Sequence, residues 1–260
     1  PIPSRGLGDV YKRQVDTRGL WGGLLILGNA PCSFSGDVAE LQIEGIPTSD
    51  VNGLYGGTNP ADDSGSVEYL SIRHGGAEIG EGNEINGLTL GGVGSATKIN
   101  HVEVVANVDD GIEFFGGTVN ASNLLVWGQG DDAIDIDQGY AGTIDGAMVI
   151  LTDASDHGFE VDGPEGSAPG SFTLKNVTVI GATKACSALG VNGEMADFRK
   201  AATGSLSNIL FKDFSGGKDV ELDASADAAS YTDGTLTFAN IDVMHPVCLL
   251  YTSPSPRDGI

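Results

Sequence analysis

Three carboxylates recur at matching places in this sequence: Glu113 in DGIEFF, Asp135 in DAIDID and Glu160 in HGFEVD. Apolar residues alternate with them, Ile112, Ile134 and Phe159 before and Phe114, Ile136 and Val161 after. Further acids precede each triplet, namely Asp109 and Asp110, Asp131 and Asp132, and Asp156, while Asp137 and Asp162 follow. If the apolar residues turn inward and the segments stack as neighbouring strands ~4.8 Å apart, the acids form an outward column. Like charges facing each other across strands destabilise a sheet, by ~1 kcal/mol per pair at 5 Å in water and more when shielded from it. A hard cation such as Ca²⁺, which takes six to eight oxygen ligands, would relieve that repulsion. The expected ligand set is Asp109, Asp110, Glu113, Asp131, Asp132, Asp135, Asp156 and Glu160. Upward-shifted carboxylates in a catalytic cleft, or plain solvation, are the competing explanations.

Such a column needs a repeat to build it. One strand type occurs as INHVEV (99–104), ASNLLV (121–126), IDGAMV (144–149), LKNVTV (174–179) and LSNILF (206–211). A second occurs as NGLTLG (86–91), DGIEFF (110–115), DAIDID (132–137), HGFEVD (157–162) and SALGVN (187–192). The two interleave in constant order with a period of ~22 residues, lengthening toward the C-terminus. A unit this short cannot bury its own apolar face, so its copies must stack. The expected fold is all-β, a right-handed parallel β-helix. The longer intervals place loops at 163–171 and around 194–202, and such loops often carry function. Asn123, Asn176 and Asn208 share one column of the first strand type, interrupted by His101 and Gly146. They form an inward amide ladder or lie outward as ordinary polar residues. Helix signals are nearly absent; 182–188 and 195–202 are the only candidates for a short turn of helix.

Composition narrows the partners. Thirteen Lys and Arg stand against 36 Asp and Glu, a net charge of −23, which disfavours nucleic acid and anionic membrane surfaces. No apolar run approaches the ~18 residues of a membrane helix, so no membrane insertion is expected. Forty glycines fall largely beside Asn and Asp, where turns need positive φ. Cys32 and Cys186 lie far apart in sequence and are expected as free buried thiols. Residues 73–80 (RHGGAEIG) form a candidate nook in which Arg73 and His74 pair with Glu78 and Glu81. Trp21, Trp127, Tyr55 and Tyr140 would stack sugars if exposed and otherwise belong to the core or its edges. The histidines have no zinc spacing, and GGVGSAT (91–97) lacks the Gly-Lys-Ser/Thr of a phosphate loop.

Several stretches carry resemblances. Residues 4–14 (SRGLGDVYKRQ) and 248–258 (CLLYTSPSPRD) resemble translated sequencing-adapter DNA in mirrored orientation. The expected organisation is therefore 1–14 and 248–260 as adapter-derived ends around a β-helix at 15–247, a piece of a longer protein. WGGLLILG (21–28), LYGGTNPADDSGSVEYLSIRHGGAEIG (54–80), NEINGLTLGGVGS (83–95), NVDDGIEFFGGTVN (107–120) and GDDAIDIDQGY (130–140) resemble a family of secreted or lipoprotein-type β-helix proteins of environmental bacteria. That resemblance implies export to the medium or outer cell surface and brings no established activity. NVDDGIE, GDDAIDI and DHG (156–158) look like the motifs of polygalacturonase-type glycoside hydrolases. This implies catalytic roles for Asp110, Asp131, Asp132 and His157, with one carboxyl as acid and one as base. Asp156 stands where that family has Gly, and Arg199-Lys200 only loosely matches its Arg-x-Lys. A pectate-lyase-type site would need an arginine base near the acids, and Arg73 lies two coils back with Arg18 further still. The reading is a non-catalytic secreted or cell-surface solenoid that binds Ca²⁺ along its acids and a glycan or surface partner. The alternative is a polysaccharide-degrading enzyme.

Overall fold

The computed structural model describes residues 15–78, 85–181, 194–214 and 219–244. The chain opens with β1 (Leu24–Leu27), a short antiparallel pair β2 (Leu41–Gln42) and β3 (Leu54–Tyr55), and then β4 (Ser66–Arg73). Short and long strands then alternate: β5 (Leu88–Gly91), β6 (Lys98–Val105), β7 (Ile112–Phe115), β8 (Asn120–Trp127), β9 (Ile134–Asp137) and β10 (Thr143–Ile150). The alternation continues through β11 (His157–Asp162), β12 (Phe172–Ile180), β13 (Glu194–Arg199), β14 (Gly204–Lys212) and β15 (Val220–Leu222). A helix, α1 (Ser225–Thr232), precedes the last strand β16 (Leu236–Met244). The short strands make a first parallel sheet in the order β1-β5-β7-β9-β11-β13-β15, and the long ones a second, from β4 to β16. This is the expected right-handed parallel β-helix. Among the described residues no helix is long and apolar enough to cross a membrane.

Period-two alternation builds the core. Ile112, Phe114, Ile134, Ile136, Phe159, Val161 and Phe198 point in from the first sheet and are fully buried, meeting Val104, Val126, Val149 and Val179 from the second. Burying each large side chain stabilises the stack by ~1.5–3 kcal/mol. Close packing also dictates glycine: a Cβ on Gly111 would lie 2.4 Å from Val126 Cγ1 and 2.6 Å from the Ala133 carbonyl oxygen.

The long strands explain how two strand types enclose a core. Each bends at one residue in the left-handed region: Tyr69, His101, Asn123, Gly146, Asn176, Asn208 and Asn240, with φ between 53° and 83°. The halves on either side of that corner form two faces, so a third separate strand is not needed. Asn and Gly suit the corner because they tolerate positive φ. The amide ladder exists but faces outward: Asn208 Nδ2 donates to Asn176 Oδ1 at 3.0 Å, and Asn240 Nδ2 to Asn208 Oδ1 at 3.0 Å. Asn123 donates instead to Asn100 (2.9 Å), and Asn176 to Asp145 (2.6 Å), where Gly146 breaks the column.

Three expectations change. SALGVN (187–192) lies outside the described residues, as does the candidate turn at 182–188, and the strand stacked on β11 is β13, seven residues later. The stretch 195–202 is therefore largely strand, neither helix nor free loop, because Ala196 and Phe198 supply the inward positions. The loop 163–171 is fastened from outside: the Glu165 and Gly166 amides donate to Ser33, and the Ser167 amide donates to Asp37 Oδ1 at 2.7 Å.

Those contacts belong to a flap, roughly residues 30–57, that crosses the outer face of the first sheet. Phe34, Ile43 and Tyr55 pack on Phe115, with Leu25, Leu27, Cys32 and Ile46 around them. Tyr55 Oη donates to Gln138 Oε1 at 2.7 Å, a buried bond. The flap exists because Leu25, Leu27 and Phe115 are outward residues that would otherwise face water. Cys32 is free and half-buried within it, burial pushing its thiol up to about 12; Cys186 lies outside the described residues.

Candidate functional site

Strand register places the acids. Glu113 lies opposite Asp135, and Asp135 opposite Glu160, as the repeat predicts. The column continues through Asp197 and Glu221. It therefore runs over five successive rungs, beginning at β7, the rung whose Phe115 also packs under the flap. Asp197 and Glu221 were missed because the β13 rung was set at 187–192; EMADFR (194–199) carries the same inward–outward alternation and was the available signal.

The upper acids are buried rather than solvated. Asp110 and Glu113 are each 6% exposed. One oxygen from each of Asp110, Glu113 and Asp135 lies within 4.8 Å of the others, and a second such group joins Asp109, Asp110 and Asp131. Burial first, and the neighbouring carboxylates second, raise Asp110, Glu113 and Asp135 well above the usual range. The Asn86 amide donates to Glu113 Oε2, yet Asn86 Oδ1 and Asp135 Oδ1 are buried acceptors without a hydrogen-bond partner. An excess of buried acceptors is the donor set a hard cation satisfies.

The lower acids meet bases. Arg199 Nε and Nη2 grip Asp162 at 2.7 and 3.0 Å, and Nη2 also contacts Glu160. Lys200 Nζ reaches Asp162 at 2.7 Å and Glu165 at 3.6 Å. Lys200 and Ala201 both take positive φ, and buried Asp227 of α1 accepts the Ala201 amide at 2.6 Å. Burial, reinforced by Asp132 and opposed by Arg199, still holds Glu160 up at about 8. Burial lifts Asp137 to about 6 against the pull of Lys200. Arg199 supplies the nearby cation that neither Arg73 nor Arg18 provides, and sequence reasoning missed its place for the same register error.

The four residues of the catalytic alternative divide. Asp110 Oδ1 accepts the backbone amide of Asp132 at 2.9 Å, and Asp132 Oδ1 accepts that of His157 at 2.7 Å. These two carboxylates thus tie one coil to the next. His157 Nδ1 also lies 2.8 Å from Asp132 Oδ1. Burial alone would lower this imidazole, but Asp132, Asp156 and Glu160 raise it to about 9. Asp132, His157 and Glu160 form the third close group of potential ligands. Asp131 is exposed on its turn, and Asp156, 54% exposed, sits 3.9 Å from His157 Nδ1.

The remaining candidates fall elsewhere. Arg73 pairs with Glu103, and His74 Nδ1 lies 2.7 Å from the Thr17 carbonyl oxygen; Glu81, the fourth residue of the expected nook, is outside the described residues. Tyr55 and Tyr140 are core residues, whereas Trp21 is 44% exposed and donates Nε1–H to the Arg73 carbonyl. A surface depression of about 570 Å³ lies away from the acids, lined by Val15, Arg18, Leu151 and Thr152 among others.

The sequence model of a family described as a pectate-lyase like beta helix domain matches residues 11–251. No curated protein and no solved structure gives a match.

Proposed function

Because the chain belongs to the pectate-lyase like β-helix family, we propose that it is a non-catalytic, calcium-dependent polysaccharide-binding solenoid exported to the medium or cell surface. The observation that carries this reading is the contrast along one column. Glu160 and Asp162 are ion-paired with Arg199 and Lys200, whereas Asp110, Glu113 and Asp135 converge with no ion pair to a basic side chain among the described residues, Arg199 acting on Asp135 only from beyond pairing distance. A Ca²⁺ held by Asp110, Glu113 and Asp135, with Asp109 and Asp131 at its margin, would supply the missing positive charge. It would also offer open coordination positions to hydroxyl or carboxylate oxygens of a glycan, beside the Arg199–Lys200 pair. Sites of this kind suit the millimolar calcium found outside cells, in keeping with the resemblance to exported β-helix proteins.

The catalytic alternative draws less support. Asp110 and Asp132 each spend an oxygen on a backbone amide. Oxygens of Asp110 and Asp131 approach within 4.8 Å, closer than the ~6.5–9.5 Å separation of an inverting hydrolase. The test is titration calorimetry of chelator-stripped protein with CaCl₂, followed by polygalacturonate co-sedimentation with and without calcium. Calcium binding and calcium-dependent sedimentation without new reducing ends or unsaturated products are expected. No calcium binding, or release of cleavage products, would overturn the reading.

A further inference from the structure

The left-handed corner of the second sheet holds one residue, Tyr69, that does not belong there on conformational grounds. Asn or Gly fills the corner in five rungs, but Tyr69 (φ 56°) and His101 (φ 53°) fill it in the first two. Histidine is among the types enriched in this region, but a tyrosine there is uncommon, and such strained positions cluster at ligand-binding sites. Neither residue takes part in the amide ladder. Their rings instead stack, centroids 4.6 Å apart and planes inclined by 19°.

The stack has an open end. Tyr69 sits on β4, the terminal strand of its sheet, and is 78% exposed. Polar groups flank the ring on both sides along the strand: Ser66 with Glu68 before it, and Ser71, Glu103 and Arg73 after it. A broad, rigid aromatic face bordered by hydrogen-bonding groups matches the C–H face and equatorial hydroxyls of a pyranose ring.

We propose that the Tyr69–His101 stack is a docking platform for a neutral, equatorially substituted hexopyranose or pentopyranose chain. It lies on the second sheet and shares no residue with the acidic column, so it goes beyond the calcium-dependent reading and stands without it.

The test is titration of the full chain in EDTA with cellohexaose and xylohexaose, alongside Tyr69→Asn and His101→Asn. Asn restores the corner's preferred residue type, so both variants should melt at or above the wild-type temperature. Wild type should bind at least one hexaose in EDTA, and Tyr69→Asn should weaken it about tenfold. Failure of wild type to bind either sugar at ~10 mM would overturn the proposal, as would undiminished binding by Tyr69→Asn. A lower melting temperature for Tyr69→Asn would equally overturn it, by making the stack a structural cap. Loss of calcium binding elsewhere leaves all these outcomes unchanged.

Discussion

Replacing Asp135 with Asn tests the electrostatics of the acidic column directly. Asp135 lies between Glu113 and Glu160, one strand spacing of ~4.8 Å from each. At an effective dielectric of 20, two unit charges at that separation repel by roughly 3 kcal/mol. This is an upper bound, because the raised carboxyls relieve repulsion by taking up protons. Asn is nearly isosteric, removes the charge and brings two N–H donors to an acceptor-rich cluster. In chelator the variant should therefore gain ~1–2 kcal/mol, a rise of ~2–8 °C in melting temperature for a domain of this size. Calcium at a hundredfold over its Kd should add ~2.7 kcal/mol to wild type and little to the variant. Differential scanning fluorimetry at pH 8, in EDTA and in excess CaCl₂, reads both effects. A variant that melts below wild type in EDTA would refute the repulsion argument. Equal calcium shifts in both proteins would refute the assignment of Asp135 as a ligand.

Other perturbations probe the surrounding parts. Folded-state protonation is favoured at Asp137 (3.8 to about 6), Glu160 (4.5 to about 8) and His157 (6.5 to about 9). In each case the native state holds a proton that the unfolded chain releases first, so stability in chelator should fall from pH 5 to pH 9; a denaturation midpoint rising over that window would contradict the shifts. Arg199→Gln leaves nearly buried Asp162 with Lys200 as its remaining cation. Discounted for the partly exposed guanidinium, the loss should be ~1–3 kcal/mol at neutral pH in urea unfolding. Asn208→Ala removes two amide bonds and places a Cβ at φ 56°, costing ~1–2 kcal/mol. Asn208→Gly should cost less, and the reverse order would show that the corner conformation is not what selects Asn.

The repeat was legible because alternation and spacing act locally. Ile112, Glu113 and Phe114 announce the same inward–outward order as Ile134, Asp135 and Ile136, and the register follows. Where intervals stretch to 30 residues, spacing loses its hold: SALGVN mimics a strand as well as EMADFR does, and only stacking on Phe159 and Val161 decides for the latter. The column of Asn123, Asn176 and Asn208 was visible, but not that it marks a left-handed corner shared by every long strand. Nor was its direction, since a left-handed bend turns a side chain outward against simple period-two counting. The flap was the largest omission. Its contacts join Phe34, Ile43 and Tyr55 to Phe115, and nothing periodic connects such distant positions. Acids expected at an open surface are buried at Asp110 and Glu113.

The clasp between Asp37 and Ser167 spans 130 positions of sequence. A stack held only by neighbour-to-neighbour pairing unravels one rung at a time from either end. Tying residues 33–37 to 165–167 from outside joins several coils into one block, so the amino-terminal half should open as a single cooperative unit. Amide exchange there should collapse to one shared free energy, while the rungs beyond β13 exchange in a graded series.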